Sequence, residues 1–258
     1  MNAPLSGHHA LVTGAGSGIG AAIAQCLAQA GARVTLVGRR VAALETTLAS
    51  LGASRLDAAV AVADVADEVA VQSLFADIHE SRGPVTILVN GAGVAPSAPA
   101  ARTTLELWNT ALAVNLTGTF LCSREFLVRL PKESSGRIVN IASAAGLKGY
   151  AFVSAYCAAK HGVIGYTRAL AAELARRPIT VNAVCPGYTE TPMLNEAIAN
   201  IVHKTGRSEA EARTELAKWN PQGRFIQPIE VAEAVLWLCL PTSASITGIA
   251  LPIAGGEI

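Results

Sequence analysis

An α/β fold built on a doubly wound, Rossmann-type and mostly parallel sheet is predicted by three features of the sequence. Continuous apolar runs of strand length recur along the chain, as a parallel sheet covered on both faces requires, rather than alternating ones. A helical pattern follows nearly every run. The first run ends in Gly14-Ala-Gly16-Ser17-Gly18-Ile19-Gly20, which opens directly into a helix. At 258 residues, with no Pro-, Gly- or Ser-rich linker and no charge block inside it, the chain reads as one domain over residues 1–258.

Ala10-Leu-Val-Thr13 is the first strand, and Ile19, Ile23 and Leu27 mark the helix after the glycines. Glycine lets the backbone approach a pyrophosphate, and the N–H groups opening the helix bind its charge. The alternative at this point is a tight turn that merely packs closely. A second unit runs from Gly31 to Val37, then Gly38-Arg39-Arg40, then a helix through Val41, Leu44 and Leu48. Ala58 to Val62 precedes Asp64-Val65 and a helix from Val69 to Ile78, and Val85 to Val89 precedes Asn90-Gly-Ala92-Gly93. One long helical stretch is expected from Leu105 to Leu130, then a strand from Arg137 to Ala142 ending at Ser143. An alanine-rich helix carries Tyr156 and Lys160, and a strand from Ile179 to Val184 leads into Pro186-Gly187. Residues Tyr188 to Gln227 are more polar, with short amphipathic helices. Inserted after a strand end, where open α/β sheets bind ligands, they read as a lid; the alternative is a surface hairpin. A helix from Ile229 to Leu240 and a strand from Gly248 to Ile253 close the chain.

Hydrophobic residues make up 51% and charged residues 15%, with a net charge of +1, which offers nothing to nucleic acid or an acidic membrane surface. No apolar run approaches the ~18 residues of a membrane span, and Met1 to His9 has no signal-peptide character. The five cysteines, Cys26, Cys122, Cys157, Cys185 and Cys239, are odd in number, scattered and flanked by apolar residues. They read as reduced core thiols of a cytoplasmic protein, without a metal site.

Tyr156 and Lys160 stand at i and i+4 and share a helical face. An ammonium beside a phenol favours its ionised form, lowering a pKa that starts near ~10. Such a group passes a proton to or from an alcohol oxygen, and the Ser143 hydroxyl can hold the same oxygen. By itself such a pair is usually a solvated helix face.

Taken together, Thr13-Gly14-x3-Gly18-x-Gly20, Asp64-Val65, Asn90-x-Ala92-Gly93, Asn115 in Val-Asn-Leu, Ser143, Tyr156-x3-Lys160 and Pro186-Gly187 resemble the short-chain dehydrogenase/reductase family over nearly the whole chain. The resemblance implies an oxidoreductase that interconverts a ketone and a secondary alcohol, with a nicotinamide cofactor exchanging hydride at carbon. It makes Tyr156 the acid/base, Ser143 the orienter of the carbonyl, Lys160 the group that holds the ribose and lowers the tyrosine pKa, and Asn115 part of a water relay. Cofactor contacts are implied at Gly14, Ser17, Gly18, Ile19, Gly20, Gly38, Arg39, Arg40, Asp64 (adenine), Val65, Asn90, Ala92, Gly93, Tyr156, Lys160, Pro186, Gly187, Thr189 and Thr191 (carboxamide). Gly91 departs from the family's usual asparagine, which implies a local packing change. NAD-selective relatives carry an acid where this chain has Gly38, so NADP(H) is the expected cofactor and NAD(H) the alternative. A homotetramer through the Leu105–Leu130 and Tyr156–Leu174 helices is also implied.

The lid resembles those of 3-hydroxybutyrate dehydrogenases and 3-oxoacyl-thioester reductases. Where the former hold a carboxylate, this chain has Ala95, Ala145 and Val153, none with a side-chain donor. With Tyr188 they imply an apolar pocket under a basic-studded lid (His203, Lys204, Arg207, Arg213). The expected substrate is a 3-oxoacyl thioester or bulky ketone; the alternatives are a 3-hydroxy acid dehydrogenase and a catalytically silent nucleotide sensor. An intact Ser143, Tyr156, Lys160 set argues against the sensor.

Overall fold

The computed structural model describes residues 3–258; Met1 and Asn2, the start of the segment read as lacking signal-peptide character, lie outside the described residues. Seven strands form one parallel sheet in the order β3-β2-β1-β4-β5-β6-β7. They are β1 (His9–Thr13), β2 (Arg33–Gly38), β3 (Ala58–Val62), β4 (Ile87–Asn90), β5 (Gly136–Ile141), β6 (Ile179–Pro186) and β7 (Ala250–Ile253). Every residue of β1, β4, β5 and β6 is buried, which accounts for their mostly apolar sequences, with His9, Asn90, Arg137, Asn140 and Asn182 as buried polar exceptions. At the β3 edge the strand is only partly covered, and Val62 is exposed.

Helices α1 (Gly18–Gln29), α2 (Val41–Ser50), α3 (Glu68–Arg82), α4 (Leu105–Leu112), α5 (Gly118–Arg129), α6 (Ser154–Glu173), α7 (Pro192–Thr205), α8 (Glu209–Ala217) and α9 (Pro228–Cys239) complete the fold. One apolar core joins α1 and α9 to one face of the sheet, through Ile23, Leu27, Val231, Val235 and Leu238. A second joins α3, α5 and α6 to the other face, through Leu74, Phe75, Phe126 and Leu170. Helices on both faces of a parallel sheet are the Rossmann-type arrangement the sequence predicts. The strand order reverses between β1 and β4, so their carboxyl ends border the crevice where such sheets bind ligands.

The stretch read as one helix from Leu105 to Leu130 is interrupted by a π-helical turn, Ala113–Thr117. Asn115 is held there by bonds within the helix and across a loop: its buried side chain donates to Ala111 O and Val94 O, both at 2.8 Å, while Thr119 Oγ1 donates to Asn115 O at 2.8 Å. Such turns inside α-helices are often tied to function, and here the turn carries a predicted site residue. The lid segment folds as α7 and α8, which share a small core of Leu194, Ile198, Ala212, Leu216 and Phe225, with Tyr188 packed against it. All five cysteines are buried and free. Burial pushes the Cys122 and Cys239 thiols up to about 12, which suits inert packing.

His9 supplies a measurable consequence of this packing. It is 4% exposed, with Nε2 2.9 Å from Thr35 Oγ1, and burial first, then Arg82 and Arg33, lower its pKa from 6.5 to about 4. Between those values the unfolded chain binds a proton that the folded chain refuses, so this group's contribution to stability falls as pH falls. Unfolding free energies measured across that window should lose on the order of 2 kcal/mol to this group. His9→Gln should flatten the slope; an unchanged slope would refute the assignment.

Candidate active site

β5 delivers Ser143 to the crevice, and the short turn after it is capped by the Ser143 hydroxyl, which accepts from Ala145 N at 3.1 Å. Two residues after the start of α6, Tyr156 is partly buried, and one turn later Lys160 is 4% exposed. The Lys160 Nζ donates to Ile141 O at 2.7 Å and lies 5.6 Å from the centre of the Tyr156 ring. Asn115 is fully buried, and its carboxamide holds both sides of Val94: Nδ2 donates to Val94 O at 2.8 Å, and Oδ1 accepts from Val94 N at 3.3 Å. Gly93 lies between the two: a Cβ there would sit 2.9 Å from Asn115 Oδ1 and 3.7 Å from Lys160 Nζ. Four segments far apart in sequence therefore meet at one point.

The electrostatics differ from the sequence expectation. Burial dominates and pushes the Tyr156 phenol up to about 12, with the Ser143 hydroxyl pulling the other way and Cys157, Tyr188 and Cys185 adding to the rise. Lys160 is likewise lowered by burial, to about 8, with Cys185 opposing the shift. The ammonium next to the ring does not bring the phenol below its ordinary value. Both groups are thus held closer to neutrality than in water.

Across the crevice, the β1 and β4 loops press together. Gly14 has φ +70, and a Cβ on it would lie 2.6 Å from Gly91 O. A Cβ on Gly91 would lie 2.7 Å from Thr13 O, so the asparagine usual in the family could not occupy this backbone path. Thr13 Oγ1 accepts from Gly91 N and Ala92 N, at 3.0 and 3.1 Å. Gly18, φ +54, abuts the Thr191 methyl at 2.9 Å from a would-be Cβ, which brings the start of α7 against the glycine loop. Ser17, the N-cap of α1, makes no side-chain cap bond, leaving the first N–H groups of the helix for a ligand. A floor without side chains and an open helix N-terminus fit a dinucleotide pyrophosphate. Gly38, Arg39 and Arg40 lie at the end of β2 and the start of α2, with both arginines exposed, and Arg39 Nη1 is 3.6 Å from Asp64 Oδ2.

At two of the predicted cofactor positions the side chain is turned into the protein, which leaves only main-chain groups for a ligand. The Asn90 side chain is 3% exposed and turned inward, donating to Asn140 Oδ1 at 2.8 Å and Ser123 Oγ at 3.1 Å; only its backbone borders the crevice. Val65 is buried against Gly118, where a Cβ would come within 2.7 Å of Val65 Cγ2. Ile19 and Gly20 open α1, and Gly187 ends the β6 connection, where its N–H donates to Ile253 O at 3.0 Å. Thr189 is buried, with Oγ1 donating to Gly187 O at 2.9 Å.

Of the pocket positions, Ala95 is exposed and Val153 partly so, but Ala145 is 4% exposed, its methyl packed inward and its N–H already taken by Ser143. Phe152, immediately before Val153, has φ +69, a left-handed conformation strained for a bulky residue, and its carbonyl accepts from Ala98 N at 2.8 Å. The lid reaches the same loop through Asn200 Nδ2, which donates to Ser97 Oγ at 3.0 Å. The lid is also less basic toward a ligand than its composition implied. Arg213 pairs with Glu190 at 2.5 Å and covers the Phe225 ring, while His203, Lys204 and Arg207 are exposed.

Sequence reasoning missed a further group. Lys148, Tyr150, Trp219 and Glu257 come from the loop after Ser143, the end of α8 and the segment after β7, and they assemble beside Tyr188. The one available signal was that Lys148 and Tyr150 fall inside the stretch from Ser143 to Lys160; nothing local points to Glu257.

The family model described as short chain dehydrogenase matches residues 8–201. The chain belongs to the short chain dehydrogenase family. A Streptomyces coelicolor protein whose name, ketoacyl reductase, is provisional is 42% identical over 96% of this chain and 95% of its own length. The D-beta-hydroxybutyrate dehydrogenase of Rhizobium meliloti is 36% identical over 96% and 97%. Among solved structures, a variant of actinorhodin polyketide ketoreductase crystallised with NADPH superposes with a TM-score of 0.94 at 41% identity, covering 100% of this chain and 99% of that one. As a short chain dehydrogenase, the protein is an oxidoreductase that interconverts a ketone and a secondary alcohol with a nicotinamide cofactor. Among the described residues, no helix is long and apolar enough to cross a membrane.

Proposed function

We propose that the enzyme uses NADP(H) to reduce a 3-oxoacyl thioester or bulky ketone to the secondary alcohol, with Tyr156 as proton donor. The meeting of Asn115 and Lys160 at Gly93, with the Lys160 ammonium between the Tyr156 ring and the end of the strand that leads into Ser143, carries this reading. When bound, the nicotinamide supplies hydride, and the protein contributes position and proton. Burial keeps the Tyr156 phenol protonated, ready to give its proton to the oxygen of the carbonyl as negative charge develops there. The Ser143 hydroxyl accepts from Ala145 N, so its own hydrogen is available to the same oxygen. Lys160 spends one N–H on Ile141 O and keeps two for ribose hydroxyls. Asn115 fixes the loop at Val94, and its main-chain oxygen, already accepting from Thr119, retains a second lone pair for a relay water. α7 and α8 act as the lid. The solvent-facing Leu105, Phe120 and Val128 of α4 and α5 support a homotetramer joined along that side.

A hydroxy-acid dehydrogenase would need a cation for the free carboxylate. Lys148 is a candidate, yet it already pairs with Glu257 at 3.0 Å. Desolvating a carboxylate without a partner costs several kcal/mol, so we expect kcat/KM for free acetoacetate at least about tenfold below that for acetoacetyl-CoA and for aryl or alkyl ketones. Measuring all of these with NADPH decides the matter, and acetoacetate as the best substrate would overturn the proposal.

A further inference from the structure

Resting on the ketone-reductase reading, we propose that Tyr150, Tyr188 and Trp219, set at their angles by the Lys148–Glu257 pair, form an aromatic subsite that selects a flat aryl ketone over a saturated one of the same size.

The three rings form a continuous row. Tyr150 meets Tyr188 edge to face, with centroids 6.2 Å apart at 85°, and meets Trp219 at 5.4 Å and 58°. Tyr150 lies on the loop that joins Ser143 to Tyr156, and Tyr188 follows the end of β6, which pairs with the β5 strand leading into Ser143, so the row runs from the lid to the edge of the reacting site. Trp219 stays 46% exposed despite these contacts, which leaves ring surface for another partner. Lys148 Nζ lies 5.0 Å from the Trp219 ring centre and 5.2 Å from that of Tyr150. A cation over an aromatic face draws on its π density, and a ring so polarised is better matched to an electron-rich aryl group than to a saturated one. Ordinary aromatic pairing contributes ~0.5–1.5 kcal/mol beyond area burial, equivalent to about a 2- to 13-fold preference.

Glu257 determines the geometry and is a positioning residue. Its side chain is 2% exposed; Oε1 accepts from the Tyr150 hydroxyl and pairs with Lys148 Nζ at 3.0 Å. Oε2 is buried without a hydrogen-bond partner, and a Cβ on Gly187 would stand 3.2 Å from it. An apolar residue of similar volume would often fill such a space at no loss of stability. What the carboxylate adds is direction: one oxygen fixes a ring from the loop after Ser143 and, through Lys148, a ring from the lid.

The test compares kcat and KM for 2-tetralone and for the saturated 2-decalone, with NADPH, in the wild type, Trp219→Leu and Glu257→Gln. We expect the wild type to favour tetralone about tenfold in kcat/KM, mainly through KM. Trp219→Leu should bring that ratio close to one, and Glu257→Gln should raise KM for tetralone more than for decalone without a matching fall in kcat. Glu257→Asp, which keeps the charge, should recover part of the preference. Should Glu257→Gln fail to fold, Lys148→Met tests the same pair. Equal kcat/KM for the two ketones in the wild type, or a ratio that Trp219→Leu leaves unchanged, overturns the subsite. Glu257→Gln altering both ketones alike overturns the positioning role. A wild type that reduces neither these ketones nor acetoacetyl-CoA refutes the ketone-reductase reading itself, whereas reduction without aryl preference refutes the subsite alone.

Discussion

Replacing Tyr156 with Phe is expected to lower kcat for ketone reduction by about 10²- to 10⁴-fold, the range typical of a general acid. The change deletes one oxygen from a partly buried ring and leaves the Lys160 bond to Ile141 O untouched, so dinucleotide binding should remain near that of the wild type. The pH dependence follows from the raised phenol pKa. With the group pushed up to about 12, the O–H needed for reduction persists throughout the neutral range. Alcohol oxidation needs the phenolate instead, so its rate should climb with rising pH, and the Phe variant should lose that climb. Steady-state kinetics in both directions, with dinucleotide titration of each protein, reads all three quantities. A variant that keeps most of its kcat would remove Tyr156 from the proposed role.

The parts of this site that were legible in the sequence are those whose geometry is local. Tyr156 and Lys160 share a face because a helix repeats every ~3.6 residues, and the glycines after β1 declare themselves by interrupting an apolar run just before a helix. The doubly wound class rests on the same kind of evidence, since strands buried on both faces read as mostly apolar runs, but their order across the sheet was not legible there. What was not legible depends on which way a side chain turns or on contacts between distant segments. Asn90 lies in a motif that suggests a ligand, yet its amide nitrogen donates to Ser123 on α5 and to Asn140 on the neighbouring strand. The π turn at Asn115 arises from bonds to Val94 across a loop, which no helical periodicity encodes. Glu257 meets Lys148 only because β7 lies beside β6, more than a hundred positions from the loop it anchors. Proximity in sequence also gave the wrong sign for the Tyr156 pKa. The adjacent ammonium was visible, but the burial that outweighs it was not.

Cofactor choice should be carried by Arg39 and Arg40. Both are exposed at the start of α2, next to Gly38, which itself carries no charge to repel a 2′-phosphate. Charge-assisted hydrogen bonds contribute ~1.5–3 kcal/mol, so kcat/KM for NADPH should exceed that for NADH by roughly one to two decades. The contact between Arg39 and Asp64 is the opposing influence. At 3.6 Å, between side chains 63% and 42% exposed, it is a weak pair that a phosphate can displace. Displacement leaves the Asp64 charge near the phosphate, which reduces the preference. Two variants separate these contributions. Arg39→Ala with Arg40→Ala should lose most of the NADPH advantage while altering NADH kinetics little, because NADH has no phosphate for either guanidinium to hold. Asp64→Asn should widen the advantage, since it removes both the competitor for Arg39 and the neighbouring negative charge. The comparison rests on kcat/KM for the two dinucleotides at fixed ionic strength, as the salt screening of exposed charges would otherwise shift the ratio. Equal values for the two cofactors, or an NADH advantage in the wild type, would leave the arginines as solvated residues at a helix start and overturn the assignment.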